Sequence, residues 1–437
     1  MKKSRIVSVG TRMIVYGLLA SSLWAAPKTA TLPEVPDQIN LSQAVELAYD
    51  RNPDVLKQKQ QVTVAAAQYE QTRGEWLLQM KLTANYQQFE RSQGSIDGDQ
   101  GSVTLDASQP VVTFGRLGNT LKGAKAYFRT QEVLTKSVRQ NVRLAVTQAF
   151  YGVLLQQQLV KVNEESLAIA EDQLRRAQIR FVEGVNTELD VTRAKVKVAQ
   201  SKTNVITARN NLVQSRNAFN QLLQVDANRN LQLVGDLNYS AYSAQTYLLR
   251  DTAEKNRPDL DALKQQIIQY ESLIGLRKAQ NYPIISIGGS VGWTNQNFYN
   301  KDDDRYDNWL GYVSMSWPII EGGKTLAQIK EARALHKAAQ IEYEKALLAV
   351  HTEVEQTVRE LTKQDELVQS ALENIQLAEQ SLKMNKVAFE NGRATSFDVA
   401  DAELNLTAAR VSHAQAVYGY QVALAQLQQV VGLDQLP

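Results

Sequence analysis

The stretch Phe389-Glu390-Asn391-Gly392-Arg393-Ala394-Thr395-Ser396-Phe397-Asp398-Val399-Ala400-Asp401 divides two long helical patterns with one glycine and a fresh helix start. A second stretch matches it: Phe181-Val182-Glu183-Gly184-Val185-Asn186-Thr187-Glu188-Leu189-Asp190-Val191. Phe, Gly, Thr, Asp and Val recur in the same order, each 208 positions apart. A bend repeated this closely implies a chain built from two similar halves, with the bend itself a candidate site.

Outward from each bend the pattern is coiled coil. Leu361, Val368, Ile375, Leu382 and Phe389 fall seven apart, and Leu167, Ala170, Leu174, Ala177 and Phe181 step by three and four. Such narrow apolar seams need a partner helix. No proline interrupts 116–183, so each half carries a rod on the order of 100 Å at 1.5 Å per residue. After each glycine the chain returns as helix, to about Gln224 and Val431.

Upstream of each rod lies strand territory. Strands are expected near 80–91 and 102–112, and again near 283–295 and 309–320. Val103, Leu105 and Ala107 alternate with Ser102, Thr104, Asp106 and Ser108. Strands of this length could cross a bilayer with one face on lipid, or form a soluble sheet with one face on a core. Both pairs exit through a proline and a glycine, Pro110 with Gly115 and Pro318 with Gly323. Before them, Asn52-Pro53-Asp54 and Arg257-Pro258-Asp259 start helices, since proline suits a first helical turn. The two repeats are placed at 27–245, with its tip at 184–187, and at 246–437, with its tip at 392–395.

Residues 1–26 read as a secretion signal. Lys2, Lys3, Arg5 and Arg12 precede the apolar run Met13–Ala20, and cleavage is expected after Ser22 or Ala26. Removing those four basic residues takes the formal charge from +2 to −2, which leaves no electrostatic case for nucleic acid. No later segment is an 18-residue apolar span, so any membrane crossing is by strands. The absence of cysteine excludes disulfides and thiolate metal sites. His336, His351 and His413 are scattered without metal-ligand spacing, and no nucleophile or phosphate-loop motif is present. Neither an enzyme nor a cofactor is expected. Four strands cannot close a barrel, so a membrane role requires several copies, and three would supply twelve strands.

These features together resemble the outer-membrane efflux proteins, the TolC-like outer-membrane factors, from about Leu41 to Gly432. The resemblance rests on the paired tips, the Asn-Pro-Asp and Arg-Pro-Asp starts, the strand exits and the repeat. It implies a mainly α fold with a small β portion. Each repeat would be helix, β-hairpin and long coiled-coil helical hairpin, and a homotrimer would form a twelve-stranded barrel continued by an α-helical tunnel. It further implies a passive exit duct in the outer membrane, its tunnel in the periplasm, serving tripartite efflux or type I secretion. The partners would be outer-membrane lipid, a periplasmic adaptor, and an inner-membrane pump or ABC exporter. The competing reading is a soluble periplasmic coiled-coil adaptor or scaffold, which would lack membrane strands.

The tips supply the candidate site residues. Asp398 and Asp401 share a helix face and fall on the family's acidic motif at the periplasmic mouth, where three copies would stack two carboxylate rings. Thr187 with Asp190 and Thr395 with Asp398 also fit helix-start capping boxes. Family members hold the mouth shut by bonds between the hairpins, often through a Tyr and an Arg. Here Phe389 has no hydroxyl, and Arg393 stands one place before the usual arginine position, which is Ala394. A closing contact from Arg393 to Asp190 or Glu188 is expected instead. Gly184 and Gly392 should end the rods in the left-handed conformation, with Phe181 and Phe389 packed across the hairpin ends. With Thr187 and Thr395 these residues form the expected adaptor contact.

Overall fold

A computed structural model describes residues 35–89, 98–185, 187–227, 229–243, 245–295 and 305–435. The expected signal segment and strand residues 90–91 lie outside the described residues. All elements belong to one unit, Pro36–Pro437.

The first half runs α1 (Leu41–Arg51), α2 (Pro53–Gly74), β2 (Gln79–Phe89), β3 (Gly98–Val112), α3 (Arg116–Val182) and α4 (Glu188–Leu222). The second runs α5 (Thr246–Asn256), α6 (Pro258–Ala279), β5 (Ile284–Asn295), β6 (Arg305–Ser316), α7 (Lys324–Glu390) and α8 (Ser396–Val431). Two short strands, β1 (Gln38–Ile39) and β4 (Gln232–Leu233), pair in parallel and tie the start of the described chain to the segment between the halves. The rods α3 and α7 are each 67 residues long.

The two halves start their second helices with different chemistry. Asn52 caps α2 by accepting the Asp54 N–H at 2.9 Å. Arg257 instead grips Asp259, Nε to Oδ1 at 3.0 Å and Nη2 to Oδ2 at 2.7 Å, a two-pronged ion pair suited to the planar guanidinium. Both rods begin after a glycine at positive φ, Gly115 at +85° and Gly323 at +83°, which lets the chain turn out of the sheet.

The strands form one antiparallel sheet in the order β2-β3-β5-β6. The two strand exits differ despite their matching prolines. β3 is internal and passes Pro110 with a register shift before Val112, a bulge that absorbs the missing N–H. β6 is an edge and stops at Ser316, four residues short of the expected end near 320. Pro318 cannot extend the ladder, and Trp317 turns its indole N–H to the Asn281 carbonyl at 3.0 Å.

Helices pack in rows. Around the bends the order is α4, α3, α8, α7; nearer the sheet it is α2, α3, α6, α7. The α7 seam is buried as its spacing requires, with Leu361, Val368 and Leu382 covered and Ile375 and Phe389 partly covered. Midway along, fully buried Tyr420 stacks edge-on against Tyr239 at 4.9 Å. Its hydroxyl donates to the Ser240 carbonyl and accepts the Tyr242 N–H, both at 2.9 Å, fastening the inter-repeat segment to α8. Among the described residues no helix is long and apolar enough to cross a membrane.

Candidate functional site

The two bends are built alike. Gly184 (φ +79°) and Gly392 (φ +68°) each follow a rod in the left-handed conformation. The Val185 N–H reaches back to the Arg180 carbonyl at 2.8 Å and the Gly184 N–H to Phe181 at 3.0 Å. Arg393 and Gly392 make the same pair of bonds, to Ala388 at 2.8 Å and Phe389 at 3.1 Å. These satisfy the last helix carbonyls in a Schellman arrangement.

The returning helices start with complete capping boxes. Asp190 Oδ2 accepts the Thr187 N–H at 2.9 Å, and the Thr187 hydroxyl accepts the Asp190 N–H at 3.3 Å. Thr395 and Asp398 repeat this at 2.7 and 3.3 Å. The Thr187 backbone and hydroxyl bonds hold the Asp190 carboxyl below its ordinary range; the Thr395 hydroxyl and backbone do the same for Asp398. Both groups are therefore anions at neutral pH. Asp398 and Asp401 are exposed, while Val399 and Ala402 turn inward onto Leu382. Asp401 accepts from Asn405 Nδ2 at 3.2 Å. Glu188 is exposed in the first turn of α4.

Within one chain Arg393 is exposed and makes no ion pair with Asp190 or Glu188. Phe181 and Phe389 are not equivalent: Phe389 packs on the second hairpin's cluster, while Phe181 remains 45% exposed.

What joins the hairpins was not visible in the repeat. The Arg180 guanidinium lies 4.5 Å from the Phe389 ring centroid, a cation–π contact between α3 and α7. Farther from the tip, Gln173 donates to Glu403, which Lys386 approaches to 3.5 Å. Burial pushes the Glu403 carboxyl up, against the pull of Lys386, Gln173 and Lys197. Next, Arg410 bridges Glu165 at 3.2 Å and Glu379 at 3.1 Å. Residues 165, 173 and 180 sit seven or eight apart on α3, so one helix face meets the second hairpin from its tip to Arg410.

At the other end, strand register sorts the sheet into two chemically distinct faces. Leu82, Leu105, Val291 and Trp309 lie side by side on one face. Thr83, Thr104, Gly292 and Asn308 lie side by side on the other. The apolar face is uncovered, with Leu82 68%, Val313 73% and Trp309 85% exposed. A soluble sheet would bury this face. A strand sheet in lipid presents it outward and keeps the hydroxyl face toward water. Trp76, Phe114, Tyr282 and Trp317, one at the rod-side end of each strand, are exposed aromatics of the kind that settle at a membrane surface.

The residue pattern of the family described as outer membrane efflux protein matches residues 44–224 and 249–433. The outer membrane protein TolC of Vibrio cholerae is 23% identical over 423 residues, covering 95% of this chain and 93% of that one. TolC of Escherichia coli is 24% identical over 439 residues, covering 96% and 85%. The open-state MtrE outer membrane channel of Neisseria gonorrhoeae shares the fold with a TM-score of 0.78 at 19% identity, covering 90% of this chain and 89% of that one. The CmeC outer membrane channel of Campylobacter jejuni does so with a TM-score of 0.77 at 18% identity, covering 90% and 85%. The family consists of channels rather than enzymes, and the soluble-scaffold reading is not favoured. The chain belongs to the outer membrane efflux protein family: it is an outer-membrane efflux duct with its helical part in the periplasm.

Proposed function

We propose that three copies close head to tail into a twelve-stranded barrel continued by a helical tunnel. The observation that carries this is the open chain at every level. β2, α2 and α4 end the rows on one side; β6 and α7 end them on the other. The free helices carry a second, unpartnered seam. On α4, Val191, Val198 and Val205 are buried, while Leu189, Val196, Ile206 and Val213 are exposed. On α7, Ile341 with Leu348 and Leu377 with Met384 are exposed pairs seven apart. Heterologous contacts of α4 with the tip-side half of α7 in the next copy, and of α2 with its sheet-side half, would cover these seams, and rotation closes the ring. The alternating strand directions let β6 meet β2 of the next copy antiparallel, leaving no edge in lipid.

The bends then form the tunnel mouth. Asp398 and Asp401 would line it as two anionic rings, with Asp190 and Glu188 on the flanking hairpin. The Arg180–Phe389 contact is the intrachain latch between hairpins, and a contact from Arg393 to Asp190 or Glu188 would have to be made between copies. Exposed Val182, Val185 and Phe397, with Phe181, Gly184, Thr187, Phe389, Gly392 and Thr395, present the surface for a periplasmic adaptor's hairpin. An inner-membrane pump or ABC exporter supplies the energy. Reconstitution in planar bilayers tests the duct. Wild-type protein should conduct weakly, and Arg180→Gln should raise basal conductance by weakening the latch. An R180Q duct as quiet as wild type would remove the latch from the proposal.

A further inference from the structure

We propose that Lys81 and Asp106 set the ionic character of the barrel lumen as a mutually neutralising pair, so that the membrane-spanning part of the duct passes cations and anions alike. This rests on the barrel reading above. The two residues are direct partners on β2 and β3, on the hydroxyl-bearing face. Among the described strand residues they are the only charged side chains on that face. The Thr104 hydroxyl donates to Asp106 Oδ2 at 3.4 Å, holding the carboxylate along the wall.

Adjacent strands lie about 4.8 Å apart, so the backbone sets Lys81 and Asp106 side by side on one face; without a direct ion pair between them, their opposite charges still largely cancel at the distance of the lumen axis. Three copies interleave three such pairs at one height. Losing either partner leaves three like charges facing the lumen. At about 0.01 M salt the Debye length is about 30 Å, long enough for such a ring to govern which ion passes.

The reversal potential of the reconstituted duct in a dilute KCl gradient reads this directly. The background carries Asp398→Asn, Asp401→Asn, Asp190→Asn and Glu188→Gln, which removes the carboxylates assigned to the mouth. In that background the cation-to-anion permeability ratio should stay within about twofold of the free-solution mobility ratio. Lys81→Gln should shift it toward cations by about threefold or more, Asp106→Asn toward anions by as much, and the double variant should return it. Single variants that leave the reversal potential in place would make the pair a structural cross-strand contact and overturn the inference. The barrel reading has its own test. The chain has no cysteine, so Thr83→Cys and Leu82→Cys are single-thiol variants. A membrane-impermeant cationic thiol reagent should modify the first and spare the second. Equal modification, or no channels at all, would overturn the barrel and the pair with it.

Discussion

Replacing Asp398 by asparagine removes its charge but keeps an oxygen that can accept from Thr395, whereas alanine removes both. The capping box and the anionic mouth are therefore separable at one position. Asp398→Asn should leave thermal stability nearly unchanged and reduce cation preference. Thr395→Ala should cost about 1 kcal/mol, the usual value of a lost N-cap, with little effect on preference. Calorimetry and reversal potentials on the same preparations separate these outcomes; equal loss of stability in both variants would assign Asp398 to the cap alone. The pH response follows from the same bonds. The Asp190 and Asp398 carboxyls are depressed in the folded state, so their contribution is full above the ordinary carboxylate range of about 4 and lost only as pH falls through the lower folded value. Amide exchange at the tips should therefore show no loss of helix-start protection between about pH 8 and 5. The capping boxes were legible in sequence because all their atoms lie within four residues. Arg180 over Phe389 was not, since it joins separate hairpins and Arg180 belongs to no repeated motif.

Each bend depends on its glycine for backbone conformation rather than space. An added Cβ at Gly184 or Gly392 would meet nothing within 4 Å. Gly392→Ala should thus cost about 1–2 kcal/mol, the penalty for a left-handed residue. Gly392→Asn should cost less, as measured by thermal unfolding. A larger loss in both would mean that the tip is packed by a neighbouring copy. The strands give a sharper contrast. Leu82→Lys puts charge on the apolar face and should destabilise by about 2–4 kcal/mol if that position sits near the bilayer midplane. Thr83→Lys, one residue on, should be tolerated; refolding into lipid vesicles distinguishes the two. Heptad spacing made the α7 seam readable, because a buried stripe must recur in the local sequence. The end of β6 was not readable in the same way. Pro318 and Pro110 look alike in sequence, and only their edge and internal positions decide that one ends a strand while the other is bulged.

The whole molecule shows its repeat in sequence and its unfinished edges in structure. The open sheet, the uncovered Leu82–Trp309 row and the second seam on α4 have no partner within one chain. Register was beyond sequence reasoning, since alternation alone fits either a soluble or a membrane sheet; the exposure of the apolar face is what separates them. Closure by copies explains the open sheet and the second seam, and lipid around the closed barrel explains the uncovered row. Native mass spectrometry of the protein released from detergent micelles tests it most directly. Three copies of the chain in one particle, stable only with detergent or lipid, are expected; a monomer that stays soluble without detergent would contradict the closed barrel.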